Sequence, residues 1–409
     1  MDRILSTHTG SLIRPPEVLD LLDAVDRGET VDETVREATL SAAVRDIVRE
    51  QARAGIDLVS DGEVGKVNWI SYLYERLSGL EVREMPPGGT FMPPSRDRQA
   101  FPGFYADDDQ KMAQQIRRVA MIGEKGVAQR RGVTPSGPEV WTCTGPIAYD
   151  GLALLRRDIE HLKTALDGAG VVGGFLPVVA PASAYWLQND YYKTDEAFVF
   201  ALADALRVEY RAIVDAGLFL QVDDAVLVHE YDSILSRGGS VDDYRRWAQL
   251  RIEALKHALV GIPEDRVRYH VCWGSWHGPH VYDPALADVI GFVLQVPARH
   301  YAIEQANPRH EHEWRLWEEV SLPEGKVLIP GVVTHHTNVV EHPELVAQRI
   351  TRLARVVGRE RVMAGTDCGF AQGAYIRRVH PEIQWAKLRA LAEGAALATR
   401  ELWGNPVSA

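Results

Sequence analysis

The stretch Val267-Arg268-Tyr269-His270-Val271-Cys272-Trp273 decides how the rest of the chain reads. It is β-branched and aromatic, and it ends in two side chains able to ligate a metal. Alternate residues of a strand point to one face, so His270 and Cys272 can reach the same point in space. Comparable runs stand at 3–9, 56–63, 140–146, 175–183, 218–224, 300–305, 326–334 and 361–369. Helical periodicity separates most of them, notably at 32–54, 67–79, 152–169, 194–216, 241–260, 343–357 and 382–400. Alternation of this kind means βαβ units and a parallel sheet.

Polar, chemically capable residues recur at the C-terminal ends of these runs. They include Asp61-Gly62-Glu63, Gly145-Pro146, Asp223-Asp224, His270 with Cys272, Glu304, Thr334 to His336, and Cys368. A (β/α)8 barrel gathers all its strand ends at one mouth, whereas an open sheet gathers only those near its switch point. The expected fold is therefore α/β, a (β/α)8 TIM barrel, and nine candidate strands leave one outside it. Residues 81–111 are rich in Pro and Gly and too long for an ordinary βα loop, so they are expected to form an irregular insertion. The whole chain, 1–409, is expected to be a single domain. No Gly-rich fingerprint follows the first strand and no phosphate-binding GxxxxGK[ST] occurs, so nucleotide binding has no support.

The 409 residues are 46% hydrophobic, ample for a core, and the formal net charge is −12. That charge disfavours nucleic acid, which needs a basic stripe. No apolar run approaches the ~20 residues of a membrane span, and the N-terminus lacks the pattern of a signal peptide. The expectation is a soluble, cytoplasmic protein, with homo-oligomerisation left open. Three cysteines, Cys143, Cys272 and Cys368, are too few and too odd in number for a disulfide framework.

His270 and Cys272 suit zinc, and Cys368, flanked by Gly365 and Gly369, is a candidate third ligand. Against this, a strand histidine is more often a core residue than a ligand. Each cysteine alone reads as a small buried apolar side chain. Spacing selects no particular carboxylate as a fourth ligand.

A family resemblance adds to this. Ser6-Thr7-His8-Thr9-Gly10-Ser11-Leu12, Asp61-Gly62-Glu63, Thr144-Gly145-Pro146, Gln221-Val222-Asp223-Asp224, His270-Val271-Cys272, Ala302-Ile303-Glu304, Gly331-Val332-Val333 and Asp367-Cys368-Gly369 occur in this order. Together they resemble the catalytic C-terminal barrel of the cobalamin-independent methionine synthase family, including short stand-alone members such as epoxyalkane:coenzyme M transferase. The resemblance implies a barrel of the methionine synthase/uroporphyrinogen decarboxylase-like type and zinc on His270, Cys272, Glu304 and Cys368. It implies substrate binding by Ser11, Glu63 and Asp223. His336 matches the family's catalytic acid best, with His335 beside it as the alternative.

A zinc with two thiolates, a carboxylate and an imidazole suits a substrate thiol better than water. The expected partners are a small-molecule thiol and an alkyl donor. Ile147-Ala148-Tyr149-Asp150 and Asp223-Asp224-Ala225 depart from the synthase pattern, which puts a folate donor in doubt. The leading expectation is alkyl transfer to a small thiol, or epoxide opening by one. The alternatives are a folate-independent methionine synthase acting on homocysteine, and a non-catalytic zinc barrel. Arg14, Lys66 and His8 are candidates to hold a sulfonate. Tyr185, Trp186, Tyr191, Tyr192, Trp273 and Trp276 are candidates for a donor pocket, or for plain packing.

Overall fold

Residues 2–27, 29–85, 94–107, 139–184 and 187–404 are described by the structure, a computed structural model. Among them ten strands follow one another: β1 (Leu58–Ser60), β2 (Leu80–Glu84), β3 (Glu139–Cys143), β4 (Gly173–Val179), β5 (Leu187–Asn189), β6 (Phe219–Asp223), β7 (Val267–Val271), β8 (His300–Ile303), β9 (Val327–Val333) and β10 (Gly365–Thr366). Seven form one parallel sheet in the order β1-β4-β6-β7-β8-β9-β10. The N-terminal segment links its two edges, because Ser6 bridges Ala364 and Thr7 bridges Leu58, both in parallel. The Thr7 N–H donates to Ala364 O at 2.9 Å, and the Leu58 N–H to Ser6 O at 3.1 Å. The expected first strand is thus the eighth stave of a (β/α)8 barrel, reduced to two bridges.

Strands β4 and β9 are apolar on both faces, as a sheet enclosed by helices requires. Polar side chains inside the ring tie the short first stave down. Arg268 on β7 donates to Thr7 Oγ1 and to His8 O, each at 3.0 Å, and lies 3.7 Å over the Phe175 ring. Gln221 on β6 donates to Thr9 O.

The surrounding helices start where their sequence supplies caps. Asp32 accepts from Thr34 and Val35 at the head of Glu33–Arg53, and Thr194 accepts from Ala197 at the head of Asp195–Asp215. Ser240 and Asp243 form a reciprocal capping box for Val241–Ala258. None of the described helices is long and apolar enough to cross a membrane.

The candidate strand left over is 140–146: β3 lies outside the ring, antiparallel to β2 and parallel to β5. The segment 81–111 therefore begins as strand β2, not as irregular chain, and Arg96–Ala100 is a helical turn. Residues 86–93 and 108–111 of that segment lie outside the described residues. The helix expected over 67–79 is only Ser71–Tyr74. Asn68 Oδ1 takes the Ile70 N–H at 2.7 Å and the Trp69 N–H goes to Gln372 O at 3.1 Å, strapping this stretch to the loop after β10 instead.

A buried ion pair shapes the loop after β9. Glu341 accepts the Thr334 N–H on Oε1 at 2.9 Å, while Lys387 reaches its Oε2 at 2.9 Å, both side chains being buried. Removing one partner of such a pair leaves an uncompensated buried charge. Lys387→Met is expected to lower the unfolding free energy by about 3–5 kcal/mol in urea titrations. A loss near zero would show that the pair does not carry the loop.

Candidate metal centre

Strand register builds the centre. Asp223 at the end of β6 is the lateral partner of His270 on β7. Their side chains meet, with His270 Nδ1 2.9 Å from Asp223 Oδ1. The carboxylate accepts, so Nδ1 carries a hydrogen, and Nε2 is left buried with no hydrogen-bond partner. Cys272, two residues on, brings its sulfur to 3.8 Å from that of Cys368, which follows β10. One ligand atom from each of His270, Cys272 and Cys368 lies within 4.8 Å of the other two.

This donor set fits zinc. Two thiolates each about 2.3 Å from a tetrahedral ion stand about 3.8 Å apart, the separation seen here. The orphaned Nε2 supplies the imidazole, and Asp223 behind it is the carboxylate that commonly orients a ligating histidine. Without metal, the hydrogen bond from Cys272 is the main cause that brings the Cys368 thiol down to about 5, with His270 helping. The same hydrogen bond, reinforced by burial, pushes Cys272 well above the ordinary thiol range. Burial opposes a charge on His270, but in the metal-free site the Asp223 carboxylate, helped by the neighbouring Cys368 sulfur, outweighs it and holds the ring up at about 10, so a metal would take Nε2 in place of its proton.

Glu304, just after β8, is close enough for its charge to act on Cys272 and Cys368, although it does not fall in the same tight cluster. It groups instead with His335 and His336 after β9. Its Oε2 accepts the Trp273 N–H at 3.1 Å, and Oε1 accepts from Asn307 at 3.0 Å and lies 3.4 Å from His336 Nε2. Burial opposes its charge, yet the His336 bond, followed by Asn307 and the Trp273 N–H, holds the carboxyl at about 2. Asp367 fixes the backbone beyond it, accepting the N–H groups of Gln305 and Ala306 at 2.9 and 2.7 Å. A Cβ on Gly331 would overlap the Asp367 carboxylate, so β9 needs glycine there. His335 is fully buried, with neither ring nitrogen hydrogen-bonded, and burial drives its pKa well down.

The triad opens into a cavity of about 180 Å3. Ser11, Glu63 and Asp223 line the same cavity as His270, Cys272 and Cys368. Glu63 sits at φ 56°, a left-handed conformation rare outside glycine, and its Oε2 is buried without a hydrogen bond. Burial, with the nearby Asp223 charge adding and Lys66 opposing, lifts its carboxyl to about 7.

Other expectations need correction. Arg14 spends its guanidinium on the carbonyls of Ala371, Glu63 and Lys66. Lys66 donates to Pro177 O, and His8 is bound to Gln51 and held neutral by burial, near a pKa of 3. None of the three faces the cavity, whereas Arg98 and Arg378 line it. The proposed aromatic group is also dispersed. Trp276 lines the cavity, Tyr191 is exposed, Tyr192 binds the Ile147 N–H, and Trp273 is buried. Tyr185 and Trp186 lie outside the described residues. The contributions of Arg98, Arg378 and Gln221 were missed; only the single residue between Gln221 and Asp223, which puts them on one strand face, offered a signal.

Comparison with known proteins fits this geometry. The model of the family described as cobalamin-independent synthase, catalytic domain, matches residues 168–387, more than half of the chain. The chain belongs to that family. The matched region holds the triad, Glu304, His335, His336 and Asp223, while Ser11 and Glu63 precede it. A methionine synthase of Thermococcus kodakarensis is 23% identical, over 96% of this chain and 93% of its own length. A 2-hydroxypropyl-CoM lyase of Xanthobacter autotrophicus is 25% identical, over 91% and 89%. In fold, the chain is similar to a B12-independent methionine synthase from Shewanella sp. W3-18-1, solved with selenomethionine. The TM-score is 0.71 at 18% identity, covering 98% of this chain and all of that one.

Two outcomes follow from the geometry. Asp223→Asn keeps a hydrogen-bond acceptor but removes its charge, and is expected to weaken zinc about 10–100-fold in chelator competition. Unchanged affinity would mean Asp223 does not support the ligand. Glu63, with a folded pKa of about 7 against 4.5 unperturbed, favours the fold most when protonated. Its contribution is lost as pH rises through that window. Relative to wild type, Glu63→Gln should therefore gain about 3 kcal/mol between pH 4 and pH 8 in urea unfolding. Parallel pH profiles would contradict this.

Proposed function

We propose that this protein is a zinc-dependent transferase that binds a small thiol as thiolate and joins an alkyl group to its sulfur. The observation carrying this reading is the triad of two sulfurs 3.8 Å apart and an unpartnered imidazole nitrogen, opening into a cavity beside the buried Glu63 carboxylate, whose nearest cation is Lys66 at 3.8 Å. His270, Cys272 and Cys368 are the residues that would hold the metal. Glu304, held here by Trp273, Asn307 and His336, is the fourth ligand that family resemblance implies and the one a substrate sulfur would displace. Zinc in such a thiolate-rich set lets a thiol lose its proton near neutral pH while remaining a nucleophile.

The chain's own residues do the rest. Asp223 keeps the His270 Nδ1 proton in place. Glu63 and Asp223 form an acidic wall suited to the ammonium of an amino-acid thiol such as homocysteine. His336, 3.4 Å from Glu304, is the residue that family resemblance offers as proton donor to the departing group as the carbon–sulfur bond forms. A second reading, a thiol ending in a sulfonate as in coenzyme M, is favoured by Arg98 and Arg378 on the cavity lining.

Calorimetric titration of the zinc-loaded protein with homocysteine and with coenzyme M separates these readings. One thiol is expected to bind with release of about one proton, and Cys368→Ser is expected to abolish that release. Should neither thiol bind while zinc stays stoichiometric, the thiol-transfer reading fails.

A further inference from the structure

A set of paired side chains behind the cavity wall has no part in the reading above. His280 directs Nδ1 at Asp283 Oδ2, 2.8 Å away, and Nε2 at the carbonyl of Trp276, 3.0 Å away. His310 directs Nε2 at the same Asp283 Oδ2 and Nδ1 at Glu313 Oε2, both at 3.0 Å. A carbonyl, and a carboxylate in its ionised form, only accept hydrogen bonds. Each imidazole can satisfy both of its partners only by carrying both ring protons. Two imidazolium ions therefore alternate with two carboxylates in a buried chain. Burial opposes these charges, but the Asp283 bonds outweigh it, raising His280 and holding His310 at about 9.

Each cation lies flat on an indole. His310 stacks on Trp273 with centroids 4.1 Å apart, and His280 stacks on Trp276 at 4.5 Å. The edge of His229 meets Trp276 from a third direction. Gly274 and Gly278 flank Trp276 so closely that a Cβ on either would overlap its ring. His280 adopts φ 55° to reach this position, a strained conformation for a histidine. The same ring meets His336 edge-on at 5.7 Å. Trp276 lines the cavity shared by Cys272 and Cys368, so this clamp sets the shape of one cavity wall.

We infer that His280 is a positioning residue, a fixed imidazolium that holds Trp276 as the wall limiting the transferred group to a short alkyl chain. The size limit rests on the alkyl-transfer reading; the charge on His280 and its hold on Trp276 do not.

Two measurements on the zinc-loaded protein test this. Nitrogen NMR, with the His280 signals assigned by their loss in His280→Gln, is expected to show both ring nitrogens protonated at neutral pH. A bare ring nitrogen overturns the proposal whichever thiol is bound. The second measurement is calorimetry with methyl, ethyl and butyl thioethers of whichever thiol releases a proton. Wild-type affinity is expected to fall about tenfold or more from methyl to butyl, and the spread should shrink to about threefold in His280→Gln and in Trp276→Ala. Wild-type affinity independent of chain length, or an unaltered spread in both variants, overturns the size limit. If no thiol binds, the transfer reading and the size limit fall together, while the NMR result still decides the charge on His280.

Discussion

The hydrogen bond from His270 Nδ1 to Asp223 is the contact on which the rest of the centre depends. It exists because β6 and β7 pair in a register that sets the two residues side by side. By holding the Nδ1 proton, it leaves Nε2 as the nitrogen offered to a metal beside the sulfurs of Cys272 and Cys368. A one-residue slip of either strand would turn that side chain to the other face of the sheet and dissolve the triad. The barrel is what makes the register dependable, since every strand is pinned on both sides once Ser6 and Thr7 join the ring edges.

The order of strands also divides the mouth by chemistry. Going round the ring, β1 and β6 carry the acids Glu63 and Asp223, while β8 and β9 carry Glu304, His335 and His336. The triad, on β7 and after β10, stands at the joins between these halves. Several features of the site oppose stability: a buried Glu63 oxygen without a hydrogen bond, left-handed backbone at Glu63 and His280, and a histidine with two orphan nitrogens. Such costs collect where function constrains the structure, and the packed barrel beneath can absorb them.

Much of this was legible in the sequence, for a specific reason. Strand periodicity alone puts His270 and Cys272 on one face, and alternation of strands with helices, together with polar residues recurring at the strand ends, implies one shared mouth. What escaped depended on partners distant in sequence. Arg14, Lys66 and His8 look available as charges until backbone carbonyls and Gln51 are seen to consume them. Asn68 and Trp69 carry helical periodicity, yet contacts to Ile70 and Gln372 stop the helix from starting there. Glu304 came from family resemblance alone, and spacing gave no hint that it would side with two histidines. The His280 clamp was illegible because a histidine at positive φ, stacked on an indole that two glycines flank, has no sequence signature.

Zinc K-edge X-ray absorption, with and without bound thiol, tests the central claim most directly. The account predicts two sulfur neighbours at about 2.3 Å in the resting protein, with nitrogen or oxygen completing the shell, and a third sulfur at the same distance once thiol is added. A sulfur count that stays at two with thiol bound would contradict thiolate activation at this centre, and a zinc without sulfur neighbours would contradict the triad itself.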